Sequence, residues 1–127
     1  MQVHHVGIFT QDLERLKNFY VKYFGATARD LYEDLSEPIS IYFLDFPAGA
    51  KLEIMSKPGL KDFSQEAMKA GFVHLAFSVG SREEVDRFSA FLVSEGCRQV
   101  NPPTLLGDGS YESCFADPDN NLIEIVV

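Results

Sequence analysis

Four residues of this 127-residue chain, His5, Glu53, His74 and Glu124, could together hold a divalent cation. Imidazole nitrogen with carboxylate oxygen suits Zn²⁺, Ni²⁺, Co²⁺, Mn²⁺ or Fe²⁺. Each of the four interrupts an apolar, β-rich stretch: "HHVGIF", "KLEIM", "FVHLAFSV" and "NLIEIVV". The spacing sets them apart from lone polar residues, since the histidines are 74 − 5 = 69 positions apart and the glutamates 124 − 53 = 71. A lone strand histidine is ordinarily just hydrogen-bonded, and a lone strand glutamate ordinarily sits on a solvated edge. A His–Glu pair used twice asks for a shared reason. Four protein ligands around a six-coordinate ion also leave room for water or substrate, so such a site could be catalytic.

Strand alternation decides which side chains can meet, because neighbours along a strand point to opposite faces. In "FVHLAFSV", Val73, Leu75, Phe77 and Val79 form an apolar face suited to packing under a helix, which leaves His74 on the other face with Phe72, Ala76 and Ser78. By the repeat, His5 goes with Val3, Gly7 and Phe9, and the adjacent His4 goes with Val6, Ile8 and Thr10. His5 is therefore the counterpart of His74, and His4 is expected at a helix-side or strand-end position without chemistry. Leu52 and Ile54 turn Glu53 the same way, as Ile123, Ile125 and Val127 do for Glu124. Burying an unpaired carboxylate is costly. Lys51 is the only basic residue on the Glu53 face, and the Glu124 strand has none. A shared cation answers that need. Phe9 and Met55, on ligand-bearing faces, are expected to line the pocket and favour an apolar substrate portion.

The elements that must carry these residues also come twice. "DLERLKNFYVKYFG" (12–25) has apolar residues at Leu13, Leu16, Phe19, Tyr20 and Phe24, a helical period, with Asp12 as N-cap and Gly25 as stop. "SREEVDRFSAFLVSEG" (81–96) repeats it, with a stripe of Val85, Phe88, Phe91 and Leu92, a capping box from Ser81 to Glu84, and Gly96 as stop. Strands are predicted near 3–10, 26–33 (weak), 39–46 and 50–55, then near 72–79, 97–101, 111–116 and 122–127. "FPAGAK" and "DPDNNL" supply the hairpin turns. The fold class is α+β: two tandem βαβββ modules, about 1–56 and 72–127, forming a curved mixed sheet with helices on its outer face and a concave inner face. The polar segment 57–71, with room for a short helix, links them into a single domain spanning 1–127. In "LLGDGSYES" (105–113) the glycines match neither a P-loop nor a dinucleotide fingerprint. This stretch is either a plain hairpin loop or a lid whose Tyr111 contacts substrate.

Bulk properties bound the rest. The length suits one domain with a real core. The net charge of −8 argues against nucleic acid or an anionic membrane as partner. No apolar run approaches the roughly 20 residues that span a bilayer. The first residues show no basic and apolar regions of a signal peptide. Cys97 and Cys114 lack metal-binding spacing and read as reduced thiols, so a cytoplasmic protein is expected.

With "HHVGIFTQDLERLKNFYVKYFGA", "KLEIM", "FVHLAFSV" and "GDGSYESCFADPDNNLIEIV" in view, the chain resembles the vicinal oxygen chelate superfamily over essentially its whole length. This is the glyoxalase I, bleomycin resistance and extradiol dioxygenase group. The resemblance implies paired βαβββ modules, commonly in a homodimer with sites at or near the subunit interface. The order His5, Glu53, His74, Glu124 matches the ligand pattern of glyoxalase I, whereas fosfomycin-modifying and ring-cleaving members generally use two histidines and one glutamate. It implies one divalent ion per site and a metal-dependent lyase or isomerase acting on a small α-hydroxy carbonyl or thiohemiacetal through an enediolate. Glu124 is then the first choice of base and Glu53 the second. Similar glyoxalase I enzymes carry an Arg four residues after the first ligand His and an Asn four after the first ligand Glu, for glutathione. Here those places hold Phe9 and Lys57, so the thiol, or the whole substrate, differs. A fosfomycin-type thiol transferase, an extradiol dioxygenase and a non-catalytic small-molecule-binding protein are the alternatives.

Overall fold

The computed structural model describes residues 1–34, 36–61 and 71–127. Contacts divide the chain into two compact units, residues 1–68 and 69–127. The first contains β1 (His5–Phe9), α1 (Leu13–Phe24), β2 (Thr27–Ala28), β3 (Tyr32–Asp34), β4 (Ile39–Asp45) and β5 (Lys51–Ser56). The second contains β6 (His74–Ser78), α2 (Arg82–Ser94), β7 (Arg98–Leu105), β8 (Tyr111–Ala116) and β9 (Leu122–Val126). The short helix expected within 56–71 falls largely outside the described residues.

Each unit builds its own mixed sheet. In the first the order is β1-β5-β4-β2, with β3 also pairing with β4. β1 runs parallel to β5, and the other pairings are antiparallel. In the second the order is β6-β9-β8-β7, with β6 parallel to β9. A parallel pair cannot be joined by a hairpin. The helix follows the first strand of each unit, and further strands, three in the first unit and two in the second, intervene before the chain returns in β5 or β9 to lie beside it.

Local chemistry starts and stops the helices where the sequence places them. The Asp12 carboxylate accepts from Arg15 N at 2.9 Å, and Gly25 ends α1 with a left-handed φ of 66°, a conformation that glycine adopts without strain. Ser81 Oγ accepts from Glu84 N at 3.2 Å, but the Glu84 carboxylate turns to Arg87, so the capping box keeps one of its two arms. Beneath α1 the buried core is Leu16, Tyr20, Leu44, Leu52 and Ile54. Beneath α2 it is Val85, Leu92, Phe115, Ile123 and Ile125. The α2 stripe differs from expectation: Ser89 is buried against the sheet, hydrogen-bonded to Ser113 at 2.7 Å, while Phe91 is 41% exposed.

Two strands also differ. The weak strand expected over 26–33 is two short pieces, β2 and β3, each paired with β4. β7 extends past the expected 97–101 to Leu105, with register shifts between Gln99 and Asn101 and between Asn101 and Thr104. Pro102 and Pro103 stand within the second shift, where they have no N–H to give the ladder.

Candidate functional site

In the first unit the face away from α1 is set by the register. Leu52 and Ile54 go into the core, and Tyr42 turns to the helix side, where its hydroxyl donates to Glu14 at 2.7 Å. The opposite face therefore carries His5, Gly7 and Phe9 on β1, with Lys51, Glu53 and Met55 as their partners on β5. Phe43 of β4 is paired with Glu53 on its other side. His5 Nε2 lies 3.5 Å from Glu53 Oε2, and the Phe43 ring meets the His5 ring edge-on at 6.2 Å.

The second unit repeats the arrangement. With Ile123 and Ile125 in the core, Glu124 takes the opposite face, between Ala76 of β6 and Cys114 of β8. His74 Nδ1 lies 3.0 Å from Glu124 Oε1. Glu112 shares that face by alternation with Cys114. Burial pushes the Glu124 carboxyl above its ordinary range; His74 pulls it back and Glu112 adds to the rise. Burial also raises the Cys114 thiol, helped by Glu124 and Glu112, and neither cysteine is in a disulfide.

The glutamate side chains are only 17% and 18% exposed, whereas the imidazoles are 43% and 41% exposed. Lys51, the basic residue expected to face Glu53, turns to Asp45 at 3.4 Å. Among the described residues, histidine is the only ion-pair partner either glutamate has. Donor atoms on one ion with bonds of about 2.0–2.2 Å lie roughly 3.0–3.5 Å apart at right or tetrahedral angles. Both observed separations fall there. Gly7 adds space: a Cβ built on it would stand 3.0 Å from Met55 Cε and 3.6 Å from Glu53 Oε2. The residues of each pair thus fit a divalent cation, although no group of three or more His, Cys, Asp or Glu gathers among the described residues.

The substrate-lining residues divide. Phe9, 46% exposed, has the Lys57 ammonium 4.9 Å from its ring centre, and Met55 is its register partner. These three stand together beside the His5–Glu53 pair. Tyr111 does not join them. It shares its strand face with Ser113 and Phe115, its hydroxyl donates to Asp86 at 2.7 Å, and Arg82 lies over its ring at 5.3 Å. Both partners belong to α2. The expected contact between Tyr111 and a ligand beside Glu124 is corrected by strand parity, which turns it to the helix side.

His4 stands at the strand end, one of the two positions expected for it. β1 begins at His5, so alternation does not govern the residue before it, and His4 Nδ1 approaches His5 Nδ1 to 2.8 Å. Phe43, Glu112 and Cys114 were missed. Alternation within "ISIYFLD" and "YESCFA" sorts their faces, but only the register shows which of them stand beside the glutamates.

Fold and face chemistry agree with a family assignment. The chain belongs to the Glyoxalase/Bleomycin resistance protein/Dioxygenase superfamily, whose family model matches residues 2–125. The protein YwkD of Bacillus subtilis (strain 168) is 30% identical over 125 residues, covering 97% of this chain and 94% of that one. A glyoxalase family protein from Enterococcus faecalis superposes with a TM-score of 0.82 at 26% identity, over 99% of this chain and 97% of the other. Glyoxalase I from Zea mays gives 0.80 at 20% identity, over 98% of this chain and 44% of the other, a likeness of fold alone.

Proposed function

We propose that this chain is a metal-dependent lyase or isomerase of the glyoxalase I kind, acting on a small α-hydroxy carbonyl or thiohemiacetal. The observation that carries this reading is the duplicated pair: a mostly buried glutamate with a histidine 3.5 Å away in one unit and 3.0 Å away in the other, and no Lys or Arg ion pair to either acid among the described residues. Family membership supports the same chemistry. By this reading His5, Glu53, His74 and Glu124 would hold a divalent ion, from the series Ni, Co, Zn, Mn or Fe.

When bound, the cation would supply Lewis-acid stabilisation of negative charge that develops on substrate oxygen. The protein moves the proton. Glu124 takes it from the substrate carbon and returns it to the neighbouring carbon. Its carboxyl, held above the ordinary range by burial, suits it to accept a proton. Phe9 and Met55 cover the apolar portion of the substrate, and Lys57 offers one positive charge beside them. Lys57 is a point donor rather than a planar fork, so it does not reproduce a bidentate carboxylate clamp. A thiol other than glutathione fits this lining.

Metal analysis of protein purified without chelator, followed by methylglyoxal assays with glutathione and several other thiols, tests the reading. One ion per chain and metal-dependent isomerisation are expected. Protein that takes up no ion and turns over no thiohemiacetal would overturn it, and would favour a metal-free small-molecule binder.

A further inference from the structure

We propose that His4 is a positioning residue for His5, an amphoteric hydrogen-bond partner that holds the His5 ring whichever of its nitrogens carries the proton. The proposal rests on the reading of His5 as a metal ligand. His4 is anchored to the sheet by its carbonyl, which accepts from Lys51 N at 3.0 Å. Its ring stands edge to face with that of His5, centroids 5.1 Å apart at 81°, with the two Nδ1 atoms at 2.8 Å. Phe43 meets the His5 ring at 88°, and Nε2 is left facing Glu53. The second unit has no such device, since Val73 precedes His74.

A neutral imidazole carries one N–H, so the short Nδ1–Nδ1 approach requires one proton between the rings. With that proton on His5, Nε2 is bare and its lone pair is available to a cation; His4 Nδ1 accepts and its own proton sits on Nε2. With the proton on His4, His5 holds its hydrogen on Nε2, toward the Glu53 carboxylate, which suits the ring before any ion arrives. Passing from the second arrangement to the first, His5 loses the Nε2 proton and gains one on Nδ1. His4 loses the Nδ1 proton and gains one on Nε2. Each ring keeps one N–H, and the bond between the rings survives with its direction reversed. A backbone carbonyl could only accept at this place and a lysine could only donate. Outer partners that fix ligand tautomers change metal affinity by about 10–100-fold.

The test combines imidazole ¹H–¹⁵N spectra, metal-free and with Zn²⁺, with Zn²⁺ affinity by chelator competition for the wild type, His4→Phe, His4→Asn and Glu53→Gln. With Zn²⁺ bound, His5 is expected to be protonated on Nδ1, and His4 on Nε2 with Nδ1 bare. His4→Phe, which keeps a ring but no acceptor, should weaken Zn²⁺ binding by about 10–100-fold. His4→Asn, whose amide can accept or donate, should stay much closer to wild type. The proposal falls if His4→Phe binds as tightly as wild type while Glu53→Gln does not, which leaves the site itself standing. Equal losses in His4→Phe and His4→Asn, or a His4 Nδ1–H in the loaded protein, also overturn it. If the wild type binds no Zn²⁺, the functional reading fails and this inference with it.

Discussion

Burial holds the Glu124 carboxyl above its ordinary range, with Glu112 on the same sheet face adding to the effect. Glu124→Gln keeps an oxygen donor and removes the proton acceptor. Turnover of methylglyoxal with a thiol should fall by about 10²–10⁴-fold while Zn²⁺ still binds, as steady-state rates and chelator competition would show. Equal rates in wild type and variant would remove Glu124 from the proton transfer. Gly7 makes a second test at this scale. Gly7→Ala meets first the flexible end of Met55, so its urea midpoint should stay near wild type. Gly7→Val places a branched carbon beside Glu53 Oε2 and should weaken Zn²⁺ binding by about tenfold. His5 and Glu124 were legible in the sequence because alternation is a local property. The place of Tyr111 was not, because its hydroxyl is claimed by a helix.

The helix of the second unit is held to its sheet partly by a buried hydroxyl pair, Ser89 with Ser113. Removing one hydroxyl leaves the other without its partner, so Ser89→Ala or Ser113→Ala should each cost about 1–3 kcal/mol in urea unfolding. The double variant should cost clearly less than the sum, and simple additivity would mean the two hydroxyls do not act as a pair. In the first unit, Arg29 holds the Asp45 carboxylate at 2.6 and 3.0 Å, where β4 pairs with β2. The Arg29 hydrogen bonds, with Lys51 behind them, keep this carboxyl below its ordinary range. The unfolded chain then binds the proton more readily than the folded one, so the contribution is present above the unfolded value and lost as pH falls through the folded value. Asp45→Asn should flatten the acid limb of a stability-versus-pH curve, and an unchanged acid limb would remove Asp45 from it.

Two His–Glu pairs, one in each compact unit, permit two stoichiometries, and titration tells them apart. One ion per chain predicts that His5→Ala and His74→Ala each abolish tight Zn²⁺ binding. Two ions per chain, with one surviving in each variant, would make the pairs separate sites and remove the shared centre from the proposed mechanism. Free Zn²⁺ at about 100 times its dissociation constant should raise unfolding stability by about 2.7 kcal/mol in the wild type and by nothing in the variant that carries both His5→Ala and His74→Ala.

The order of elements, the two helix caps, the doubled His–Glu pattern and the faces that carry it are all properties of short stretches: helical period, strand period, turn residues and a constant offset. The sequence by itself was enough for these, because each depends on residues within a few positions of one another or on counting between them. Tertiary structure decided what stands across from what. Phe43 beside Glu53, Cys114 beside Glu124, Lys51 drawn off to Asp45 and Tyr111 tied to Asp86 join residues on different elements. A one-residue slip of register would undo each sheet neighbour while leaving every local signal intact.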